Sequence, residues 1–159
     1  EERFKPKHRM PVTTGWSEMD NITGGGLGKS ELGVVIAPTG AGKSMVLVHL
    51  GVEALKVGKN VIHYTLELQD TVVANRYDSC LTSFPLTDIK DFKEEVFEQV
   101  KNIQGKLIVK EYPTKSASTN TIKSHLARLK KRGIDPGMII IDYGDLLRPV
   151  VIRKERHLN

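Results

Sequence analysis

Cysteine, aromatic residues and long apolar runs are all scarce in this chain of 159 residues. The single cysteine, Cys80, excludes an intramolecular disulfide and a metal site built from cysteines, and it favours a reducing, cytosol-like compartment. No apolar run approaches the roughly 20 residues of a membrane-spanning helix, and no secretory signal pattern opens the chain. We therefore expect one globular domain with a single hydrophobic core and no membrane partner.

Charged residues are plentiful, with 24 Lys and Arg against 19 Asp and Glu, for a formal net charge of +5. This surplus permits attraction to polyanions such as nucleic acid, although many basic proteins bind none. The histidines are scattered and include no helical pair of metal ligands, so we expect each to be packed or solvated. Because the chain starts at Glu1 rather than at methionine, we expect a fragment or a processed product.

Apolar runs alternate with segments of helical period along most of the chain. Residues 1–12 are charged and contain two prolines, so we expect a linker or arm there and a domain over 13–159. Strands are predicted at 31–38, 60–67, 106–112 and 138–143, and helices at 44–57, 70–80, 120–132 and along a face formed by Ile89, Phe92, Val96, Val100 and Ile103. This alternation predicts βαβ units and a mostly parallel, three-layer α/β sheet.

A glycine-rich segment, APTGAGKS, follows the first predicted strand and opens the next helix. Glycines allow the backbone N–H groups to point at phosphate oxygens, and the helix N-terminus adds positive partial charge. We expect a nucleotide-binding loop made of Ala37, Pro38, Thr39, Gly40, Ala41, Gly42, Lys43 and Ser44. Lys43 would reach the β- and γ-phosphates, and the Ser44 hydroxyl would complete a Mg²⁺ shell.

Ala37 replaces the first glycine of the usual pattern, at a strand end where one methyl group should be tolerated. The alternative interpretation of the segment is a glycine-rich turn with an incidental lysine.

Two carboxylates complete the candidate site. Asp142 ends the run MIIID and Glu67 ends VIHYTLE, so both are expected at the carboxyl ends of parallel strands, where α/β sheets build their sites. We expect Asp142 to bind Mg²⁺ through a water, and Glu67 to activate the attacking water because Tyr143 stands where many ATPases carry that base. The alternatives are a strand-end residue that starts a turn for Asp142, and a helix N-terminal carboxylate for Glu67.

The order of these motifs resembles the RecA-like ATPase core and, more narrowly, the hexameric replicative helicases of bacteria and bacteriophages. TGWSEMDNITGGGL, the loop, TLELQ and IIIDY carry the resemblance, which covers about residues 14–147. In that family a strand ending in Leu-Glu supplies the glutamate that activates water, and Leu66-Glu67 matches it. Asp142-Tyr143 matches the first two residues of the family's Asp-Tyr-Leu motif, and VKEYPT (109–114) resembles the segment before the next helix in phage-type members.

The resemblance implies hydrolysis of Mg-ATP that drives movement along single-stranded DNA. It implies catalytic roles for Glu67 and Lys43, metal binding by Ser44 and Asp142, a homo-hexameric ring, and a cytoplasmic location in a bacterial or phage-infected cell. Asp145 stands where the family often carries a polar residue that senses the γ-phosphate, and a carboxylate cannot make the same hydrogen bonds as an amide.

The resemblance also predicts that the sheet is incomplete. In the family a later strand inserts between the aspartate strand and the loop strand, so 138–142 should not pair directly with 34–37. Basic clusters at 130–132 and 153–156 are weak candidates for DNA contacts, because no aromatic residues lie nearby in sequence for base stacking. A recombinase or clock-type ATPase on the same core, and a small-molecule or nucleotide kinase, are the alternative functions.

Overall fold

The computed structural model describes residues 9–150. Within them lie helices α1 (Ser17–Thr23), α2 (Lys43–Lys56), α3 (Asp70–Thr82), α4 (Lys93–Val100) and α5 (Thr119–Lys131), and strands β1 (Asn60–Thr65), β2 (Leu107–Glu111) and β3 (Pro136–Asp142). The strands form one parallel sheet in the order β2–β1–β3. None of the helices in this range is long and apolar enough to cross a membrane.

The central strand β1 carries apolar side chains on both faces, and helices cover both. Val61 belongs to a core shared with α2 and α3, through residues such as Val52 and Tyr77. Ile62 and Tyr64 point to the other face, where they pack with α5. A strand buried on both sides is typical of parallel sheets. The predicted three-layer α/β architecture is therefore confirmed.

The first turn of α5 is specified locally. The Ser118 hydroxyl accepts a hydrogen bond from the backbone N–H of Thr121 at 3.4 Å, and the Thr121 hydroxyl accepts one from the Ser118 N–H at 3.1 Å. This reciprocal capping satisfies two N–H groups that the helix itself leaves free. It also fixes the segment before α5, which returns from β2 along the carboxyl edge of the sheet.

The predicted strand over 31–38 is wrong, because this segment has no ladder partner. Its apolar side chains are largely in water: Leu32 is 87 %, Val34 70 % and Ile36 89 % exposed. Within the described residues β3 pairs with β1 alone, so no strand pairs with its other edge. The prediction that 138–142 does not pair with 34–37 is confirmed.

The predicted helical face from Ile89 to Ile103 is longer than the helix that forms. Before α4 the chain makes consecutive turns, in which Asp88 N–H donates to Pro85 O and Asp91 N–H to Asp88 O, both at 2.9 Å. Ile89 is nevertheless buried, from within these turns. The apolar spacing therefore correctly predicted that Ile89 is buried, but it placed the start of the helix too early, because α4 begins only at Lys93.

Residues 9–12, which we assigned to the arm, contact the glycine-rich turn after α1. Val12 exchanges backbone hydrogen bonds with Leu27 at 2.8 and 2.9 Å. The Arg9 guanidinium donates to both carboxylate oxygens of Glu31 at 2.8 and 2.6 Å, and to the carbonyls of Thr23, Gly24 and Gly26. The domain boundary at residue 13 stays a prediction, and residues 1–8 lie outside the described range.

Candidate functional site

The glycine-rich loop has the backbone geometry that its sequence predicts. Gly40 and Gly42 adopt positive φ angles of 81° and 90°, and a Cβ built on either residue would meet no atom within 4 Å beyond the adjacent parts of the chain. Glycine is needed here for the backbone conformation rather than for space. Gly42 is the N-cap of α2, so Lys43 and Ser44 begin the helix whose free N–H groups form the end of the loop. The other predicted loop residues, Ala37, Pro38, Thr39 and Ala41, lie immediately before this start.

Lys43 lies against the loop itself. Its Nζ donates to the carbonyl oxygens of Ala37 at 2.8 Å and Pro38 at 3.1 Å. Ala37 thus contributes only its backbone carbonyl to this contact, and its methyl group is not involved. The geometry holds a positive charge beside the N-terminus of α2, which is the arrangement an anionic ligand favours.

The predicted carboxylates come together at the carboxyl edge of the sheet. Thr65, near the end of β1, is the register partner of Asp142 at the end of β3. The next residue, Leu66, donates its N–H to the Asp142 carbonyl at 2.9 Å, and Glu67 follows directly. Asp142 is 2 % exposed, whereas Glu67 is exposed to solvent. Helix α2 packs against β1 and β3 and ends at Lys56, just before β1 begins at Asn60. It therefore runs back along the sheet, so that its N-terminus and the loop are on the side of the carboxyl edge, where Glu67 and Asp142 lie.

Ser44 and Asp142 have the donor chemistry that a magnesium ion prefers. A hydroxyl and a carboxylate are hard oxygen ligands, and magnesium commonly takes one or two of these together with substrate phosphates and waters. The described residues contain no group of three or more His, Cys, Asp or Glu side chains that could hold a metal by themselves. The residues present therefore fit an ion that arrives with a phosphate ligand.

One polar pair in the core was not singled out from the sequence. His63 is fully buried on β1, and its Nδ1 lies 3.0 Å from the Tyr77 hydroxyl on α3. Its Nε2 is buried and has no hydrogen-bond partner in the described structure. Burial lowers the pKa of His63 to about 4, against a raising influence of the Asp142 carboxylate. The expectation of a packed histidine holds for this residue.

The segment that carries Glu67 contacts two threonines that sequence reasoning did not assign to the site. The Thr65 hydroxyl bonds both the N–H and the carbonyl of Leu68, and the Thr114 hydroxyl donates to the Leu66 carbonyl. The only sequence signal for them was their place, in TLE and at the end of VKEYPT. The Thr65 contact is local, with Leu68 three residues away, whereas the Thr114 contact joins segments 48 residues apart.

The predicted basic cluster at 130–132 extends into a wider basic surface. Lys131 and Arg132 line an open depression of about 560 Å³ on α5, together with Lys110, His125 and Arg128. Tyr112 lies beside it, with the Lys110 ammonium 5.6 Å from its ring centroid, so aromatic groups are closer than sequence spacing indicated. The second cluster, at 153–156, falls outside residues 9–150. Asp145 lies in a short 3₁₀ turn, Gly144–Leu146, and is exposed.

Comparison with known proteins gives consistent matches. The model of the DnaB-like helicase C terminal domain matches residues 11–159. A DnaB-like replicative helicase of Enterobacteria phage T4 is 35% identical over an alignment of 144 positions, and the match covers 85% of this chain and 30% of the relative. A replicative DNA helicase DnaB of Helicobacter pylori is 26% identical over 92% of this chain and 31% of the relative. The chain thus spans about a third of the length of these relatives.

Two further matches are more distant. A DNA repair and recombination protein RadB of Methanobrevibacter smithii is 25% identical over 98% of this chain and 58% of the relative. The solved ATPase domain of G40P superimposes with a TM-score of 0.72 over 92% of this chain and 54% of that one, at 21% identity, which shows a shared fold. DnaB-like helicases hydrolyse nucleotide, act on DNA and are in general hexameric, and their C-terminal domain is the ATPase core. With a family match from residue 11 onward and the phage relative above 30% identity, this chain belongs to the DnaB-like helicase C-terminal domain family.

Proposed function

We propose that this chain is the motor core of a replicative DNA helicase, which binds Mg-ATP at residues 37–44 and hydrolyses it with Glu67 as the general base. The observation that carries the proposal is that Asp142 lies in the last register pair of the sheet, with Thr65, and that Glu67 follows Thr65 by two residues. An exposed carboxylate and a buried one, on adjacent strands beside a phosphate loop, match the two separate tasks of activating water and binding a cation.

The reaction assigns one task to each group. The loop N–H groups and Lys43 hold the β- and γ-phosphates, and Lys43 exchanges its carbonyl partners for phosphate oxygens. The carboxylate of Glu67 takes a proton from a water while the water oxygen bonds to the γ-phosphorus. The bond from the γ-phosphorus to the bridging oxygen breaks, and ADP leaves. A magnesium ion held by Ser44 and Asp142 would neutralise phosphate charge.

The proposed setting is a homo-hexameric ring on single-stranded DNA in the cytoplasm of a bacterial or phage-infected cell. Support comes from the replicative helicases that the chain resembles over most of its length. An arginine from the neighbouring subunit would stabilise charge on the transferring phosphoryl group, so turnover by this chain alone should be slow.

A second candidate is an ATPase whose hydrolysis gates assembly on DNA during recombination. The RadB match favours it, since it covers 98% of this chain and a larger share of the relative than the helicase matches do. The two candidates differ in whether the intact protein separates the strands of a duplex while it hydrolyses ATP.

The test measures ATP hydrolysis by the intact protein with and without single-stranded DNA. We expect stimulation by DNA, strand separation of a forked duplex, and loss of ATP binding in Lys43→Ala. Glu67→Gln should retain ATP binding and lose turnover by about a hundredfold or more, the range of a general base. Glu94→Gln, which makes the same change on the exposed face of α4, should behave as wild type.

Three results would argue against the proposal. Hydrolysis that DNA does not stimulate would reject the helicase assignment, and stimulation without strand separation would favour the recombination candidate. Unchanged turnover in Glu67→Gln would reject Glu67 as the base.

A further inference from the structure

Glu67 has no hydrogen-bond partner for its carboxylate among residues 9–150. The backbone on either side of Glu67 therefore sets the position of its Cα and the direction in which its side chain leaves the chain. A general base must lie within hydrogen-bond reach of the water it activates, and an error of about 1 Å in position is costly to the rate. A side chain that holds the peptide groups next to Glu67 by hydrogen bonds can therefore affect the rate of hydrolysis although it does not contact the substrate.

Two threonine hydroxyls fix these peptide groups, one on each side of Glu67. On the preceding side, the Thr114 Oγ1 donates to the carbonyl oxygen of Leu66 at 3.1 Å, and this carbonyl belongs to the peptide bond that joins Leu66 to Glu67. On the following side, the Thr65 Oγ1 donates to the Leu68 carbonyl at 2.7 Å and accepts from the Leu68 N–H at 3.1 Å. We call these two side chains the threonine bracket.

The two members of the bracket are themselves anchored. Thr65 is fully buried within β1. Thr114 lies on the strap, which we define as residues 112–118 between β2 and α5. The Tyr112 N–H donates to the Thr65 carbonyl at 2.9 Å, and the Ala117 carbonyl accepts from Arg148 N–H at 2.7 Å. One end of the strap is thus bonded to β1, and the other to the chain that follows Asp142.

The strap also reaches the region beside Asp145. The Lys115 N–H donates to the Leu146 carbonyl at 2.8 Å, one residue beyond Asp145. Thr114 is adjacent to Lys115 in the chain and holds Leu66, so a displacement of the 145–148 segment would be passed to the peptide before Glu67. The contacts form one continuous hydrogen-bonded path from the segment after Asp142 to the segment that carries the candidate base.

We propose that the threonine bracket positions Glu67, and that Thr114 is a positioning residue for hydrolysis through its bond to the Leu66 carbonyl. The inference rests on the proposed role of Glu67 as the base. Thr114 does not touch the substrate; its hydroxyl holds the peptide plane from which the Glu67 side chain projects. Removing the hydroxyl leaves the loop, Lys43 and Asp142 in place, so nucleotide binding should persist while turnover falls.

The experiment compares Thr114→Val, Thr114→Ser and the matched control Thr119→Val in the intact protein. Valine preserves the shape of Thr114 and deletes its hydroxyl, whereas serine retains the hydroxyl. We expect Thr114→Val to lower kcat by about tenfold with KM changed less than about twofold, because a misplaced base affects only the chemical step. Thr114→Ser should recover most of the rate. Thr119, on the first turn of α5, donates no side-chain bond to this segment, and Thr119→Val should match wild type.

Combination with Glu67→Gln separates positioning from a structural effect. If Thr114 acts only through Glu67, then Thr114→Val has no further effect on the residual rate of Glu67→Gln. An equal loss in both backgrounds, an unchanged kcat in Thr114→Val, or a raised KM alone would overturn the inference. These outcomes differ from failure of the proposed function, in which Glu67→Gln by itself leaves turnover unchanged.

A second variant tests the other member of the bracket. Thr65→Val deletes the hydroxyl that holds Leu68 and should also lower kcat at constant KM. Since Thr65 is buried, its thermal denaturation is recorded alongside, and Thr114→Val on the strap remains the deciding variant if Thr65→Val folds poorly.

Discussion

At the scale of single residues, His63 is an ionisable group placed where its charged form is disfavoured. The ring lies inside the sheet–helix core, and one nitrogen contacts the Tyr77 hydroxyl. Burial is the main cause of its low pKa; the Asp142 carboxylate raises that pKa and the Arg76 guanidinium lowers it. The imidazole of His63 therefore stays neutral in the folded protein at mildly acidic pH, where it would be protonated in the unfolded chain.

This difference predicts that stability depends on pH. The pKa of the His63 side chain is about 4 in the folded state against a reference value of 6.5. Between these values the unfolded state binds a proton that the folded state does not, so the free energy of unfolding falls as the pH drops. The contribution is fully present above pH 6.5, and its loss approaches about 3 kcal/mol near pH 4.

His63→Gln removes the titrating group and should flatten this part of the profile. Urea denaturation of wild type and variant between pH 4 and 7.5, without magnesium, measures the two slopes. Their difference should reach up to about 1.4 kcal/mol per pH unit, since one proton is involved. Parallel profiles for the two proteins would contradict the prediction.

At the scale of elements, the helix that begins at the phosphate loop packs on α3 through a glycine. Gly51 of α2 is buried, and a Cβ at this position would overlap the Tyr77 hydroxyl and lie 2.8 Å from the Tyr77 ring carbons Cε1 and Cζ. The same hydroxyl contacts His63 on β1. A missing side chain on α2 therefore allows one tyrosine to contact a helix on one side and the sheet on the other.

Gly51→Ala should destabilise the protein although it improves helix propensity. In an open helix this change stabilises by up to about 1 kcal/mol. Here the added methyl group has no space, and we expect the free energy of unfolding to fall by about 1–3 kcal/mol. Urea denaturation measures the change. A variant as stable as wild type would show that α2 and α3 are not packed as described.

The double variant Gly51→Ala, Tyr77→Phe tests the contact itself. Removing the hydroxyl relieves the closest overlap and leaves the 2.8 Å approach to the ring carbons, so the two changes together should cost less than the sum of the single changes. If the costs of the two single changes simply add in the double variant, then the destabilisation by Gly51→Ala does not come from the contact with the Tyr77 hydroxyl.

At the scale of the whole molecule, an apolar strip before the phosphate loop is exposed to solvent, and one edge of the sheet is unpaired among residues 9–150. Leu32, Val34 and Ile36 alternate along the extended segment before the phosphate loop, and all are at least 70 % exposed. Within residues 9–150, β3 uses only one of its two edges. We expect that in a longer protein a further strand lies between β3 and this segment and covers the strip.

The substitution Ile36→Lys in the intact protein tests this expectation against Ile22→Lys. Both isoleucines are more than 80 % exposed here, at 89 % and 83 %. If a strand covers Ile36, its replacement by lysine loses apolar burial and buries a charge, for a cost of at least about 2 kcal/mol. Ile22, on α1, should tolerate lysine within about 0.5 kcal/mol. Thermal denaturation distinguishes the two, and equal tolerance would argue against the additional strand.

The sequence predicted the parts of the site that are local. A phosphate loop is contiguous, so APTGAGKS identified residues 37–44 and the start of α2 within one residue. Glu67 and Asp142 were found because each ends an apolar run, and parallel strands bring such ends to one edge. Their roles at the site stay predictions.

Other features could not be found in this way because they depend on partners distant in sequence. The apolar pattern of 31–38 is that of a strand, but a strand forms only when another backbone lies beside it. The turns before α4 interrupted a helical period that continued in sequence.

By itself, the sequence determined the layered α/β fold, the phosphate loop and the two carboxylates at the sheet edge, because periodicity and short motifs act over a few residues. The tertiary structure alone decided which hydroxyl holds the Leu66 carbonyl before Glu67, which helix contacts Tyr77, and that residues 31–38 remain unpaired. These features depend on contacts between segments far apart in the chain, and a pattern of neighbouring residues does not predict such contacts.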